Sequence, residues 1–422
     1  MEVYQRLRGT KDYFPPQSEI FREVESRIVN IIKLFGFREI INPTLERKEL
    51  FTRSVGESTD IVEKEMFAFV DKGGREVVLR PEGTAPVVRA YVEEKIYKKE
   101  SVSRFFYRGA FFRYERPQAG REREFHQIGV EVLGYAHPFI DAEIIILGDL
   151  ILKSLGLQNY SLELGSVGCF KDREKFRNFI RKELAQIQEE LCADCQRRVV
   201  KNPLRIFDCK VEKCKKIASK LPSLLDALCE RCGKHFETVS EILNSMGVKH
   251  HQHPHLVRGI DYYTSITFEF QHKSLGAQNT LLAGGRYDQL VEEMGGPSIP
   301  ACGFALGMER ILLALEEEGK LPEVKDGIEV FVCYISEKEL PYAFSLLTTL
   351  RKEGISGEMD YTRKSIKSQL KRADKRKAKL TLILGEEEVK KGEVTVRDMR
   401  SGEQFAVKKD EVVNFLRERL KK

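Results

Sequence analysis

The segment that most restricts the fold of this 422-residue chain is FRYERPQAGREREFHQIGVEVLG, residues 112–134. Its second half alternates apolar residues with Gln127, Gly129 and Glu131, a period of two that is typical of a strand with one buried face. The turn before this strand, ERPQAGRERE, is polar, Pro or Gly at nine of its ten positions. The pattern predicts a hairpin whose apolar face needs a core and whose opposite face is polar, with a gap at Gly129 between Gln127 and Glu131.

The order of the predicted elements indicates an α+β protein with more than one domain. Residues 170–250 are mostly helical and charged and contain six of the nine Cys, so we expect an insertion with a small core of its own. Residues 321–327 are typical of a linker, and beyond them strands alternate with helices. We predict one domain over 1–325, with the insertion over about 170–250, and a separate α/β domain over 326–422.

Hydropathy and cysteine usage argue against a membrane-spanning protein and against a secreted one. The chain has no apolar run long enough to span a membrane, and its first residues have no apolar region typical of a signal peptide. Nine Cys in such a chain indicate reduced thiols, so we expect a cytoplasmic protein. The net charge of +6 does not by itself indicate a nucleic-acid partner.

Two Cys-x-x-Cys pairs form a metal-binding pattern. Cys192 with Cys195 and Cys229 with Cys232 have the spacing of a four-thiolate zinc site, although 33 residues separate the pairs. The alternative is that these Cys are buried small apolar side chains of the helical insertion.

Neither common glycine-rich phosphate loop occurs, so side chains must hold a nucleotide if one binds. Arg suits this task because its planar fork matches phosphate oxygens. Arg258 and Arg310 lie in apolar, Gly-bracketed segments, where a guanidinium needs an anion. Glu131 has two interpretations, a partner for a ligand cation or a polar residue on a solvated edge strand.

Several segments together resemble the histidyl-tRNA synthetase family of class II aminoacyl-tRNA synthetases. RLRGTKDYFP is similar to the family's N-terminal segment. Three segments resemble the first, second and third class II motifs, in that order: INPTLERKELFTRSVGESTDIVEKEMFAF, FRYERPQAGREREFHQIGVEVLG and CGFALGMERILLAL. Two segments peculiar to the histidine enzyme resemble LRPEGTAPVVRA and LVRGIDYYTSITFEF. The resemblance covers nearly the whole chain. It implies a mostly antiparallel sheet flanked by helices, with a helical insertion and a C-terminal α/β anticodon-binding domain.

The resemblance also implies a reaction and its substrates. The enzyme would activate L-histidine with ATP and Mg²⁺ to histidyl-adenylate and transfer histidine to the 3′ end of histidine tRNA. AMP and pyrophosphate would be released. The family is a homodimer, which would place Pro43 near the interface. It is not generally a zinc family, which favours the buried-thiol interpretation of the Cys pairs.

Residue roles follow from the same resemblance. Arg113 would hold the α-phosphate, and Arg258 would bridge the histidine carboxylate and that phosphate, so these two are the predicted catalytic residues. The predicted ATP-binding residues are Arg113, Glu115, Arg121, Phe125 and Arg310. The predicted histidine-binding residues are Glu82, Gly83, Thr84, Arg113, Gln127, Glu131, Arg258, Tyr262 and Tyr263. Among these, Glu131 and Tyr263 would bracket the imidazole ring, and Gly129 on the polar floor of the hairpin would leave room for the substrate.

The resemblance also implies two contacts with tRNA. Arg116 and Gln118, in the hairpin tip, would meet the acceptor end. Residues 361–379 contain nine Lys or Arg and one Asp, a charge of 9 − 1 = +8, which favours RNA over a merely solvated helix face.

Two alternatives to a synthetase remain at the sequence level. One is a histidine-sensing regulatory subunit of an ATP phosphoribosyltransferase, and the other is an RNA-binding module with an inactive synthetase-like domain. The basic C-terminal domain argues against the first. The filled Arg and Glu positions argue against both.

Overall fold

The structure, a computed structural model, describes residues 3–57, 59–324, 327–362 and 364–421. The chain forms two compact units, Met1–Pro322 and Glu323–Lys422. The boundary predicted at 325/326 lies outside the described residues.

The first unit contains ten α-helices among its described residues. They are α1 (Gln17–Leu34), α2 (Lys48–Val55), α3 (Thr84–Glu93), α4 (Pro138–Ser154), α5 (Phe170–Gln186), α6 (Ala193–Lys201), α7 (Glu212–Ala218), α8 (Glu230–Ser245), α9 (Leu290–Glu293) and α10 (Met308–Glu317). Its strands are β1 (Arg38–Glu39), β2 (Leu45–Arg47), β3 (Ala68–Val70), β4 (Glu76–Leu79), β5 (Ser103–Phe112), β6 (Glu124–Leu133), β7 (Tyr160–Ser166), β8 (His251–Gln252), β9 (Thr264–His272), β10 (Thr280–Arg286) and β11 (Ala301–Gly307).

Eight of these strands form one sheet in the order β1-β5-β6-β11-β10-β9-β7-β8. Within the described part of this sheet, only the outer pairs β1–β5 and β7–β8 are parallel. β2, β4 and β3 form a separate antiparallel sheet. The predicted fold class, a mostly antiparallel sheet flanked by helices, is confirmed.

The alternation in β6 has the predicted effect on packing. Ile128, Val130 and Val132 are buried in the main core together with side chains of α1, α4, α8 and α10. The opposite face of the same strand carries the polar floor, because successive side chains of a strand point to opposite sides.

The insertion is shorter than its composition predicted. A separate core joins α5, α6 and α7 and extends from Phe176 to Leu224. α8 does not share it, because Phe236, Val239 and Leu243 pack into the main core. The helical character of residues 230–245 is correct, but these residues belong to the main body of the unit.

The second unit is a five-stranded sheet with helices on both faces. Its elements are β12 (Val330–Tyr334), α11 (Leu340–Lys352), β13 (Gly357–Met359), α12 (Ile366–Lys375), β14 (Leu380–Leu384), α13 (Glu386–Lys391), β15 (Glu393–Asp398), β16 (Gln404–Lys408) and α14 (Val412–Leu420), and the strand order is β13-β12-β14-β15-β16. Val330 and Val332 pack on the side of α11 and α14, whereas Phe331 packs with Ala373 of α12. The α/β prediction is correct. No helix among the described residues is long and apolar enough to cross a membrane.

Candidate active site

A cavity of about 250 Å³ lies on the polar face of the large sheet. It is lined by side chains from six parts of the chain: the β5–β6 hairpin, the start of α3, the segment before β9, strands β10 and β11, and the start of α10. Among the described residues, every predicted histidine- or ATP-binding residue lines this cavity except Glu131. The topology thus brings together segments more than 200 residues apart.

Four Arg side chains converge on the cavity: Arg113, Arg121, Arg258 and Arg310. Burial lowers the pKa of Arg310 to about 10, and repulsion from the other three guanidinium groups adds to the effect. Arg310 is held in place by the carbonyls of Gly120 at 3.0 Å and Thr280 at 2.9 Å. Such a concentration of partly buried cations favours an anionic ligand.

Three of these Arg are paired with carboxylates inside the protein, and Arg113 lies 4.0 Å from the Glu115 carboxylate. Arg121 forms ion pairs with Glu115 and, at 3.4 Å, with Glu65. Arg258 forms an ion pair with Glu269 of β9. The sequence interpretation missed Glu65 and Glu269. Glu269 could have been found, because it stands within an apolar strand just as Glu131 does.

Arg113 is anchored at the start of the hairpin turn. Its Nε donates to the Pro81 carbonyl at 2.9 Å, and its guanidinium lies 5.3 Å from the centre of the Phe125 ring. Phe125 therefore presents an aromatic surface beside a cation, an arrangement that suits a purine next to a phosphate.

Glu131 lies behind the cavity wall and is completely buried. Its Oε1 accepts from the Thr84 hydroxyl at 2.7 Å, and its Oε2 accepts from the Tyr287 hydroxyl. Burial raises the pKa of Glu131 to about 8, despite these hydrogen bonds, which lower it. Both hydroxyl partners line the cavity, and Tyr287 was not predicted from the sequence. The edge-strand interpretation of Glu131 is wrong, because β6 lies between β5 and β11.

Glu82 holds the N-terminus of α3. Its two carboxylate oxygens accept from the backbone N–H groups of Thr84 at 2.8 Å and Ala85 at 2.9 Å. Burial raises the pKa of Glu82, although these hydrogen bonds oppose the shift. The carboxylate thus fixes the turn that presents Gly83 and Thr84 to the cavity.

Gln127 brings an unpaired acceptor into the cavity. Its buried Oε1 has no hydrogen-bond partner among the described residues. A buried amide oxygen without a partner is costly, so this atom favours a ligand donor such as an ammonium group. Tyr262 and Tyr263 are buried nearby, with ring centres 4.8 Å apart.

The predicted use of Gly129 is wrong. A Cβ at this position would lie 2.2 Å from Cζ of Tyr107, and a Cβ at Gly83 would lie 2.2 Å from Cε2 of the same ring. The gap in the polar floor therefore accommodates the Tyr107 ring, not the ligand.

The tip of the hairpin is a tight turn at the edge of the cavity, which Gly120 and Arg121 line. Gln118 and Arg121 exchange two backbone hydrogen bonds of 3.0 and 2.9 Å, and Gly120 has a φ of +71° that favours glycine. Arg116 and Gln118 are exposed there.

The predicted grouping of the Cys pairs is wrong. Among the described residues, two separate clusters of metal-ligating groups occur, and the two Cys-x-x-Cys pairs fall into different ones: Cys192, Cys195, Cys209 and Cys214 in the first, and Cys169, Asp172, Cys229 and Cys232 in the second. The pairs separate because residues 192 and 195 begin a helix of the insertion core, whereas residues 229 and 232 begin α8.

Known proteins match both units of the chain. The family described as Histidyl-tRNA synthetase matches residues 9–311, and the family described as Anticodon binding domain matches residues 329–419. The chain belongs to the histidyl-tRNA synthetase family. The Histidine--tRNA ligase of Halothermothrix orenii is 48% identical over 401 residues, which cover 95% of this chain and 96% of that protein. The Histidine--tRNA ligase of Aquifex aeolicus is 47% identical and covers 97% of this chain and 99% of its own length.

The fold of this chain is also similar to that of a solved member of the family. The apo histidyl-tRNA synthetase of S. aureus is 34% identical, covers 98% of this chain and 100% of its own, and has a TM-score of 0.83. The predicted enzyme class and reaction of a histidyl-tRNA synthetase, activation of histidine and charging of tRNA, are therefore confirmed. The regulatory-subunit alternative is not favoured, because ligase relatives match over the whole length.

Proposed function

We propose that this cavity is the site where L-histidine and ATP react, and that each side of it serves one substrate. The observation that carries the proposal is the convergence of four Arg on a cavity that also contains the unpaired Gln127 oxygen. Cations suit the triphosphate and the carboxylate, and the amide oxygen suits the α-ammonium group.

On the ATP side, Arg113 holds the α-phosphate, and Phe125 stacks on adenine with Glu115 at its edge. Arg121 and Arg310 hold the β- and γ-phosphates. Arg121 is paired with Glu115 in the structure, so ATP binding exchanges this carboxylate for phosphate. The Glu122 and Glu309 carboxylates on the cavity wall would supply oxygen ligands to a Mg²⁺ bound with ATP, and that ion would neutralise phosphate charge.

On the histidine side, Gln127, Glu82 and Thr84 surround the α-ammonium group, and Arg258 holds the carboxylate. The imidazole ring lies against Tyr262 and Tyr263. Glu131 lies behind this wall and is hydrogen-bonded to the Thr84 and Tyr287 hydroxyls, which line the cavity, and this group recognises a ring nitrogen. Buried polar groups that an apolar analogue would leave unpaired reject such analogues strongly.

The chemical step is a displacement at phosphorus. A histidine carboxylate oxygen forms a bond to the α-phosphorus while the bond to the bridging oxygen of pyrophosphate breaks. Arg258 and Arg113 stabilise the negative charge that develops on the transferred phosphoryl group. In the second step a ribose hydroxyl at the 3′ end of histidine tRNA displaces AMP from the histidyl carbonyl, with Arg116 and Gln118 near the acceptor end.

Further parts of the proposal concern the whole chain. The unit up to residue 325 is the catalytic domain, and residues 326–422 bind the anticodon. The protein acts in the cytoplasm as a homodimer, with Pro43 near the interface.

Histidine-dependent ATP–pyrophosphate exchange tests the assignment of the cavity. We expect Arg258→Gln to lower kcat by about 10²–10³-fold, as the loss of a donor to a developing charge does. We expect Glu131→Gln to raise the KM for histidine. Arg27→Gln, which removes an exposed ion pair with Glu23 on α1, is the matched control and should exchange normally. Wild-type exchange in Glu131→Gln would refute the imidazole assignment, and absence of exchange in the wild type would refute the synthetase activity.

A further inference from the structure

Four thiols of the insertion form a compact cluster. The sulfur atoms of Cys192, Cys195, Cys209 and Cys214 all lie within 4.8 Å of one another, and the sulfurs of Cys192 and Cys209 are 3.8 Å apart. None of the four is in a disulfide. In a tetrahedral site with Zn–S bonds of about 2.3 Å, the sulfurs stand about 3.8 Å apart.

We propose that Cys192, Cys195, Cys209 and Cys214 bind one Zn²⁺ as a structural four-thiolate site. This ligand set differs from the one that the two Cys-x-x-Cys pairs predicted, and it has the spacing Cys-x2-Cys-x13-Cys-x4-Cys. Cys192 and Cys195 lie at the start of α6, Cys209 lies in the turn before α7, and Cys214 lies in the first turn of α7.

The backbone around the cluster is arranged for thiolates. The N–H of Cys192 points at the Cys214 sulfur from 3.3 Å, a hydrogen bond that stabilises a metal-bound thiolate. Cys195, Cys209 and Cys214 are buried, so four unligated thiols here would have little but one another as polar partners. A soft, tetrahedral ion fits a set of four sulfur ligands.

The insertion needs a structural metal site because its own hydrophobic core is small. This core joins a helix of 17 residues to helices of 9 and 7 residues, and the cluster itself forms part of it. Domains of this size rarely have enough apolar burial to be stable without a metal or a disulfide. Zinc binding supplies that stability because the site exists only in the folded state.

Through α6 the site supports the catalytic cavity. Arg198 of α6 donates to Asp60 at 3.1 Å, and Asn202 after α6 donates to Asp261 at 3.0 Å. Asp261 is three residues from Arg258. We therefore expect loss of zinc to disturb the Arg258 segment without removing any residue from the cavity.

The second cluster provides a matched control. The Asp172 carboxylate there already accepts from the backbone N–H of Cys169 at 3.2 Å, as part of the N-terminal cap of α5. A double variant in this cluster, Cys229→Ser with Cys232→Ser, removes two thiols but leaves the four-thiolate site intact.

The test is zinc content of the full-length protein, purified without chelator and measured by plasma mass spectrometry. We expect the Cys209→Ser/Cys214→Ser variant to contain about one zinc per chain less than the wild type. The Cys229→Ser/Cys232→Ser variant should retain at least that one zinc. Equal zinc in the wild type and Cys209→Ser/Cys214→Ser, or less than about 0.2 per chain in the wild type, would overturn the proposal.

A second measurement keeps the proposal testable if the double variant does not fold. The wild type is loaded with Co²⁺ alone, and its absorption is recorded. Four thiolates should give strong sulfur-to-cobalt charge transfer and the visible bands of tetrahedral cobalt, whereas weak octahedral bands would overturn the proposal. Cys209→His should retain one zinc and shift these bands, because imidazole can replace a thiolate as ligand.

Discussion

At Gly129 the polar floor of the hairpin has no side chain, and the Tyr107 ring occupies the space. The same ring fills the space beside Gly83 in the turn before α3. Two glycines therefore position one buried tyrosine at the wall of the cavity. Such a role is invisible in the sequence, where a glycine between two polar residues is equally consistent with space for a ligand.

Gly129→Ala should destabilise the protein, because the new Cβ would overlap the Tyr107 ring. We expect the free energy of unfolding to fall by about 1–3 kcal/mol, measured by urea unfolding followed by circular dichroism. Gly233→Ala is the matched control. Nothing lies within 4 Å of a Cβ at this position in α8, so we expect a gain of about 0.5–1 kcal/mol. Equal stability of Gly129→Ala and the wild type would contradict the packing described.

Glu131 should make stability depend on pH in an unusual direction. Burial raises the pKa of this carboxyl from 4.5 to about 8, so between these values the folded state holds a proton that the unfolded state has released. The free energy of unfolding therefore falls as pH rises, by at most about 1.4 kcal/mol per pH unit for this group. Glu131→Gln lacks this dependence.

We expect the stability advantage of the wild type over Glu131→Gln to shrink steadily from pH 5 to pH 8. The measurement is the thermal unfolding midpoint of both proteins in the same series of buffers. Parallel pH curves for the two proteins would show that Glu131 titrates near its ordinary pKa.

At the scale of elements, a buried ion pair joins α4 to the large sheet. Arg286, at the end of β10, is 1% exposed. Its Nε and Nη2 donate to the Asp141 carboxylate in the first turn of α4, and its Nη1 donates to Asp288 at 2.9 Å. The pair fixes the helix against the strand that carries the neighbouring Tyr287 into the cavity.

Arg286→Met should cost about 3–5 kcal/mol of unfolding free energy, because it leaves the Asp141 carboxylate buried without its main cation. Arg27→Met, which breaks an exposed pair on α1, should cost less than about 0.5 kcal/mol. Urea unfolding of both variants checks the contrast. Similar losses of unfolding free energy in the two variants would mean that the buried ion pair stabilises the protein no more than an exposed one.

At the scale of the whole molecule, the chain forms two units with separate cores. The first unit contains the cavity, and the second contains the basic segment. The described part of the basic segment lies on α12 and its flanks, where Lys367 and Lys371 are exposed. α11 and α14 pack on the opposite face of the small sheet. The exposed Lys of this segment thus lie on the α12 side of the small sheet, where clustered cations suit RNA phosphates.

Lys367→Glu/Lys371→Glu should raise the KM for tRNA in charging by about tenfold and weaken its salt dependence, because two phosphate contacts are lost. Histidine-dependent pyrophosphate exchange should stay at the wild-type level. Lys352→Glu/Lys421→Glu, with the same change of charge near α11 and α14, is the matched control and should charge normally. Equal loss of charging in both variants would refute the assignment of the RNA face to α12.

The sequence by itself was enough to predict the hairpin, the alternation of strands and helices in the second unit, and the four Arg residues that line the cavity. Each is a local signal, because a period of two, a strand-helix alternation or a motif is carried by neighbouring residues. Only the tertiary structure decided which distant groups meet. Glu131 is 156 residues from Tyr287, and Arg121 pairs with Glu65, which is 56 residues away in another motif.

The cysteines show the same division. The spacing of Cys192-x-x-Cys195 and Cys229-x-x-Cys232 indicated metal ligands, but spacing could not pair them correctly. The partners of the first pair are set by the packing of α6 against the turn before α7, and those of the second by the place of α8 in the main core. Local pattern predicts which side chains can act, whereas the packing of elements determines which of them act together.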